Sequence, residues 1–141
     1  IDGAIAIYEQ LYSTNSGNIV VSNNLASMIT SYRDDAASLD RAATIARRLR
    51  NSDVPQFQDT YGWIEYRRGN LDNALPSLEA AAKGLPDDAV AQFHLGMIYA
   101  DLGRKDEAVT QLNRAIALGQ GSAVPQVALA QEKLKELAAT P

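Results

Sequence analysis

Apolar positions recur at helical intervals in two alternating series. Tyr61, Trp63 and Ile64 begin one, which stops at Gly69. Leu71, Ala74, Leu78, Ala81 and Ala82 form another, which stops at Leu85-Pro86. A stripe every three or four residues marks an amphipathic helix, and a glycine between two stripes marks a turn. Two helices joined by a tight Gly turn are therefore predicted. Both stripes return 34 residues later: Tyr61-Gly62 falls on Leu95-Gly96, Ile64 on Ile98, Gly69 on Gly103, Ala74 on Ala108, Leu78 on Leu112 and Ala81 on Ala115. Six features in one order at one offset define a repeat. Gly62 and Gly96 leave room where a facing helix approaches, with Ala74 and Ala108 doing the same from the other side, while Leu78 and Leu112 fill beside them.

The register extends toward the N-terminus with one irregularity. Leu25-Ala26 matches Tyr61-Gly62 at an offset of 36, whereas Ala42, Ala46 and Leu49 match Ala74, Leu78 and Ala81 at 32. Four extra residues are thus expected between the two helices, around residues 33–38, as a longer loop or an extended helix end. Ala4, Tyr8 and Leu11 match Ala42, Ala46 and Leu49 at an offset of 38, so the start of the chain reads as the second helix of a repeat. The pattern is already helical at Ile1, and the expectation is a fragment whose upstream part, with that repeat's first helix and any export signal, is missing. After the break at Gly119-Gln120-Gly121-Ser122, Pro125 can open a last helix. Val127, Leu129, Ala130, Leu134 and Leu137 give it an apolar face, with Gln131, Glu132, Lys133, Lys135 and Glu136 toward water.

The layout is one all-α domain over 1–141: a half-repeat at 1–18, a repeat with a longer inter-helix loop at 19–54, repeats at 55–88 and 89–121, and a capping helix at 122–141. Its helices are predicted at 2–14, 19–33, 37–50, 55–68, 71–84, 88–101, 105–118 and 123–138. Each hairpin buries its apolar face only against its neighbours, so stability comes from stacking.

Composition narrows the chemistry. The net charge is −4 and the densest basic cluster is Arg47, Arg48 and Arg50, read as a solvated helix face and not as a nucleic-acid footprint. Without cysteine there are no disulfides, thiolate metal sites or Cys nucleophiles. No apolar run reaches the ~20 residues that span a bilayer. His94 is the only histidine, with Asp59 and Asp101 the only acids near it by helical position, and neither a metal site nor a cofactor is expected. The pairs Asp34-Asp35 and Asp87-Asp88 fall at helix boundaries, where capping explains them. No motif for phosphate binding, zinc hydrolysis or a nucleophile with its base is present, so no catalytic residue is assigned.

Gly103, Ala108, Leu112 and Ala115, with Tyr99 following Leu95-Gly96, resemble the tetratricopeptide repeat, and Pro86 matches that family's closing proline. The resemblance covers nearly the whole chain. It implies a superhelix of antiparallel hairpins in which first helices line a concave face that holds a partner peptide or helix. On that face it places Asn23, Ser27 and Thr30, then Asp59, Trp63, Tyr66 and Arg67, then Phe93, Met97 and Asp101. Apolar anchors with convergent polar groups suit peptide capture, and Arg67 is the only base on the stripe, which disfavours a clamp for a terminal carboxylate. The segments Ser22-Asn23-Asn24-Leu25-Ala26, Asp59-Thr60-Tyr61-Gly62-Trp63 and Tyr66-Arg67-Arg68-Gly69 also resemble bacterial repeat proteins of exopolysaccharide and protein-sorting systems. That likeness implies a cell-envelope setting in preference to the cytoplasm. The function expected is a protein-interaction scaffold. Its alternatives are a self-association module, through Ile5, Tyr8, Leu11 and Tyr12, and the non-catalytic arm of a larger enzyme.

Overall fold

The computed structural model describes residues 1–140. Among them the chain forms eight α-helices and one 3-10 turn, and no strand: α1 (Asp2–Thr14), α2 (Ile19–Tyr32), α3 (Ala36–Ala46), α4 (Pro55–Arg67), α5 (Leu71–Gly84), α6 (Ala89–Asp101), α7 (Lys105–Gly119) and α8 (Pro125–Ala139), with the 3-10 turn at Arg47–Leu49. The fold is an all-α stack of helical hairpins. No described helix is long and apolar enough to cross a membrane.

Local chemistry sets where these helices begin and end. Asn18 accepts from the backbone N–H groups of Val20 and Val21 at the start of α2. Asp35 accepts from the N–H and the hydroxyl of Ser38 at the start of α3, and Asp88 from the N–H of Ala91 at the start of α6. The second acid of each pair is thus the cap. The bonds from Ser38 hold the Asp35 carboxyl below its ordinary value. At the other end, Gly69 and Gly103 adopt φ of 85° and 76°, conformations that a side chain would strain. Around Gly69, the Asn70 N–H bonds Glu65 O and the Gly69 N–H bonds Tyr66 O. Around Gly103, Arg104 bonds Tyr99 O and Gly103 bonds Ala100 O. This doubled closure satisfies the last carbonyls and turns the chain sharply.

The longer loop expected near 33–38 is absent. The connection 33–35 has three residues, as do 68–70 and 102–104. The buried pair Ile45-Ala46 falls on the buried pair Ala81-Ala82 at an offset of 36, the offset that carries Leu25-Ala26 onto Tyr61-Gly62. One offset therefore serves both helices. The excess lies afterwards: Ala46 to Pro55 is nine positions, Ala82 to Ala89 seven. The 3-10 turn and the connection 50–54 absorb it.

Within a hairpin the helices meet at glycine. A Cβ on Gly62 would lie 2.8 Å from Leu78 Cγ, and one on Gly96 would lie 2.7 Å from Leu112 Cδ2 and 3.2 Å from Leu112 N. Both leucines are fully buried. Between hairpins, contact is unequal. First helices adjoin along the row α2, α4, α6 and α8, whereas among the described residues no Cα of α3 comes within 8 Å of one in α5, nor any of α5 within 8 Å of one in α7. A row closed on one side and open on the other bends, with the first helices inside.

The N-terminal helix differs from its reading. Ile5, Tyr8 and Tyr12 of α1 pack against the core of α2, α3 and α4, so this face has its partner. The apolar exposure lies beside it, at Ile7 (61%) and Leu11 (45%). Glu9–Arg41 and Asp2–Arg33 ion pairs hold α1 to its neighbours. At the other end, α8 takes the place of a further first helix beside α6. Ala130 is buried, and Leu134 and Leu137 pack with Phe93 and Leu112.

Candidate functional site

The inner row carries one groove that is mostly apolar at its base. Trp63, Tyr66 and Arg67 of α4, Phe93 and Met97 of α6, and Leu129, Glu132, Lys133 and Glu136 of α8 line it, enclosing about 350 Å³. Five of the ten residues placed on the concave face from the sequence, Trp63, Tyr66, Arg67, Phe93 and Met97, thus come together. The α8 wall was missed, because its apolar spacing reads equally well as packing for an end cap. The signal that could have found it is the phase of Leu129, about 100° off the Ala130, Leu134 and Leu137 stripe, and in the structure that leucine is 53% exposed.

Trp63 is the centre of this base. Its ring stacks on Tyr66 with centroids 4.8 Å apart and on His94 at 3.9 Å, and meets Phe93 at a tilt. Aromatic faces at such separations attract and fix one another. His94 is buried, and its Nδ1 lies 2.8 and 3.0 Å from the two carboxylate oxygens of Asp59. Asp59 thus stands behind the groove and holds the imidazole that holds the indole. Phe93 is 3% exposed and closes the groove from beneath, while Trp63, Tyr66 and Met97 are half-buried and face it.

Polar groups fix the walls. The Tyr66 hydroxyl donates to Asp101 at 2.7 Å, tying α4 to α6. Burial, reinforced by that bond and by the Asp101 charge, holds the Tyr66 phenol well above its ordinary value. Lys133 pairs with Glu136 at 3.2 Å and reaches Asp101 at 3.9 Å, linking α8 to α6. Arg67 does not point its charge into the groove as a free base. Its Nη1 donates to Thr30 O at 2.7 Å and its Nη2 to Arg33 O at 3.4 Å. These carbonyls end α2, where the helix dipole favours a cation. The base sequence reasoning missed is Lys133.

Asn23 and Ser27 do not join the groove. Both sit on α2, one hairpin away. Ser27 is exposed, and Asn23 donates to Asn24 while its own Oδ1 is buried without a partner. Thr30 is buried and bonds its hydroxyl back to Ala26 O. Asp59 and Asp101, the acids near His94 by helical position, go to different partners, and no described group of three or more His, Asp or Glu is placed to hold a metal ion. The groove therefore offers shape, aromatic surface and a charged rim.

Residues 62–123 match the family model described as tetratricopeptide repeat. No curated protein sequence matches the chain. Among solved structures, a crystal structure of the MamA protein superposes with a TM-score of 0.65 at 19% identity, over 97% of this chain and 76% of that one. A second, described as MamA MSR-1 C2, gives 0.62 at 24% identity over 96% and 78%. A third crystal structure of MamA gives 0.65 at 20% over 96% and 79%. At these identities the likeness is one of fold. The likeness of fold runs through nearly the whole chain, and residues 62–123, its two most regular hairpins, match the tetratricopeptide repeat.

Proposed function

We propose that the chain is a non-catalytic scaffold that holds a partner protein by a short segment laid in the groove between α4, α6 and α8. The observation that carries this reading is the convergence of Trp63, Tyr66, Phe93 and Met97 with the exposed Leu129 on one concave surface. A half-exposed leucine facing a supported indole loses apolar surface to water until something covers it. The rim sets the charge of the occupant. Asp101 and Glu136 flank the Lys133 amine, Glu132 adds a further carboxylate that Lys135 meets at 3.7 Å from outside the groove, and Arg67 is engaged with α2. An apolar anchor flanked by Lys or Arg is the segment that fits.

The test uses a displayed library of random peptides selected on the whole chain, with Leu129→Glu as the comparison. Leu129 is largely outside the core, so this change spoils the groove and leaves the fold standing. The sole tryptophan, Trp63, reports binding through its fluorescence. Selected peptides should carry an apolar residue beside basic ones, shift Trp63 emission, and bind Leu129→Glu about tenfold more weakly or worse. Peptides that bind both forms equally, with Trp63 emission unmoved, would show that the partner surface lies elsewhere.

A further inference from the structure

The open side of the stack carries a second site of different chemistry. Because α3 and α5 stand apart, a cleft of about 500 Å³ runs between them over α4. Arg47 and Arg50 lie on one wall, Asn73 on the other, and Tyr61, Glu65 and Arg68 along the floor. The 3-10 turn that follows α3 aligns the wall. It has three residues per turn, so side chains at i and i+3 eclipse, and Arg47 and Arg50 are three apart. Arg48, between them, does not line the cleft. What the sequence presents as a run of three bases is thus sorted into two that face the cleft and one that faces away.

The cations of the cleft differ in how they are engaged. Arg68 pairs with Glu65 at 3.2 Å and with Asp40 at 3.3 Å, while Asn70 donates to the other Glu65 oxygen. Glu65 and Asp40 are the only carboxylates on the cleft and both are directed at Arg68. Arg47 and Arg50 make no ion pair and their side chains donate no hydrogen bond among the described residues. The Tyr61 hydroxyl and the Asn73 amide are also without a protein partner there. Burial and then the Glu65 charge raise the Tyr61 phenol, and the Arg50 and Arg68 guanidiniums oppose that rise, so the hydroxyl lies within reach of both cations. In a chain of net charge −4, two unpaired guanidiniums side by side in a concavity, with a phenol and an amide beneath and opposite them, are a donor set without an acceptor.

We infer that this cleft binds a phosphate-class dianion, held by forked hydrogen bonds from Arg47 and Arg50 and by donation from Tyr61 and Asn73. The guanidinium fork matches two oxygens of one tetrahedral anion, which a single carboxylate fills less completely. The volume leaves room beside the anion for a group esterified to it.

Calorimetric titration of the whole chain in a phosphate-free buffer, with inorganic phosphate in one arm and O-phosphoserine in the other at constant ionic strength, tests this. Saturable binding is expected in at least one arm. Binding of both assigns the site to the phosphoryl group itself, and binding of phosphoserine alone assigns it to esters. Arg47→Gln with Arg50→Gln should weaken the interaction about tenfold or more. Arg47→Lys with Arg50→Lys should weaken it less, because charge survives without the fork. Arg48→Gln, which removes one guanidinium beside the cleft and none from it, should leave it unchanged. No saturable binding in either arm, or an equal loss in Arg48→Gln, would overturn the assignment. All these positions are exposed, and an unchanged thermal transition confirms that each variant is folded.

Discussion

Trp63 and His94 are the only residues of their kinds in the chain, and they lie against each other. A lone histidine on an apolar helix reads from sequence as packed or on the surface. Its actual task, to carry the Asp59 carboxylate on one side and the indole face on the other, depends on two helices 35 residues apart being brought into register. Composition and helical phase do not contain that. Tyr99 shows the same dependence with a measurable consequence. It is buried, donates to Glu79 at 2.9 Å, and lies beneath the Arg104 guanidinium. Burial first, then the Glu79 bond and charge, push its phenol from 10.0 to about 12, with Arg104 opposing. The folded state therefore favours the neutral phenol. Its contribution is complete below pH 10 and is lost as pH rises toward 12. Denaturant unfolding measured from pH 8 to 12 should show stability falling across that upper window, and Tyr99→Phe should flatten the fall. An unchanged slope in the variant would place the alkaline sensitivity elsewhere.

Helices and turns are where the sequence was most legible. The Gly turns, the caps at Asp35 and Asp88 and the glycine–leucine meeting points follow from residue types whose local physics has few alternatives. Register was less legible for a specific reason. The offsets of 32 and 36 between α3 and α5 differ by four residues, which is one helical turn. A slip of one turn keeps every apolar position on the same stripe. In helices this rich in alanine nothing along the stripe marks the difference, so an insertion was read into a hairpin that has none. The contact of Gly96 with Leu112 leads to a prediction at the same scale. Gly96→Ala should cost about 1 to 3 kcal/mol through overpacking. Gly62→Ala should cost less, since all three of its close contacts are side-chain atoms (Leu78 Cγ and Cδ2, and Ser77 Cβ at 3.1 Å), whereas at Gly96 the Leu112 backbone N also stands at 3.2 Å. Urea unfolding of the two variants measures the order. Equal transitions, or a more stable Gly96→Ala, would mean that the helices part freely.

Across the whole molecule the apolar core is divided along the stack. One cluster joins α2, α3 and α4 beneath α1, and others join α5, α6 and α7 with α8. Stability is then a sum over neighbours and is not uniform. No residue of α1 is fully buried, whereas α6 buries eight of its thirteen. Amide hydrogen exchange should be fastest in α1 and slowest in α6, with α2 and α3 between. Uniform protection from α1 to α8 would contradict a stack built of neighbour contacts. The superhelical architecture itself was legible, because a period is a global property that survives local error. The α8 wall of the groove was not, because an end cap and a further first helix present the same stripe.

The unequal contact between hairpins, closed along the first helices and open along the second, also makes the molecule a leaf spring with its pivot on the inside. Flexing it moves the back most and the inner row least. A rivet across the gap between α3 and α5 would stiffen the N-terminal half, yet barely shift the floor around Trp63. Grip at the front and stiffness at the back are then separate adjustments, set by residues on different helices.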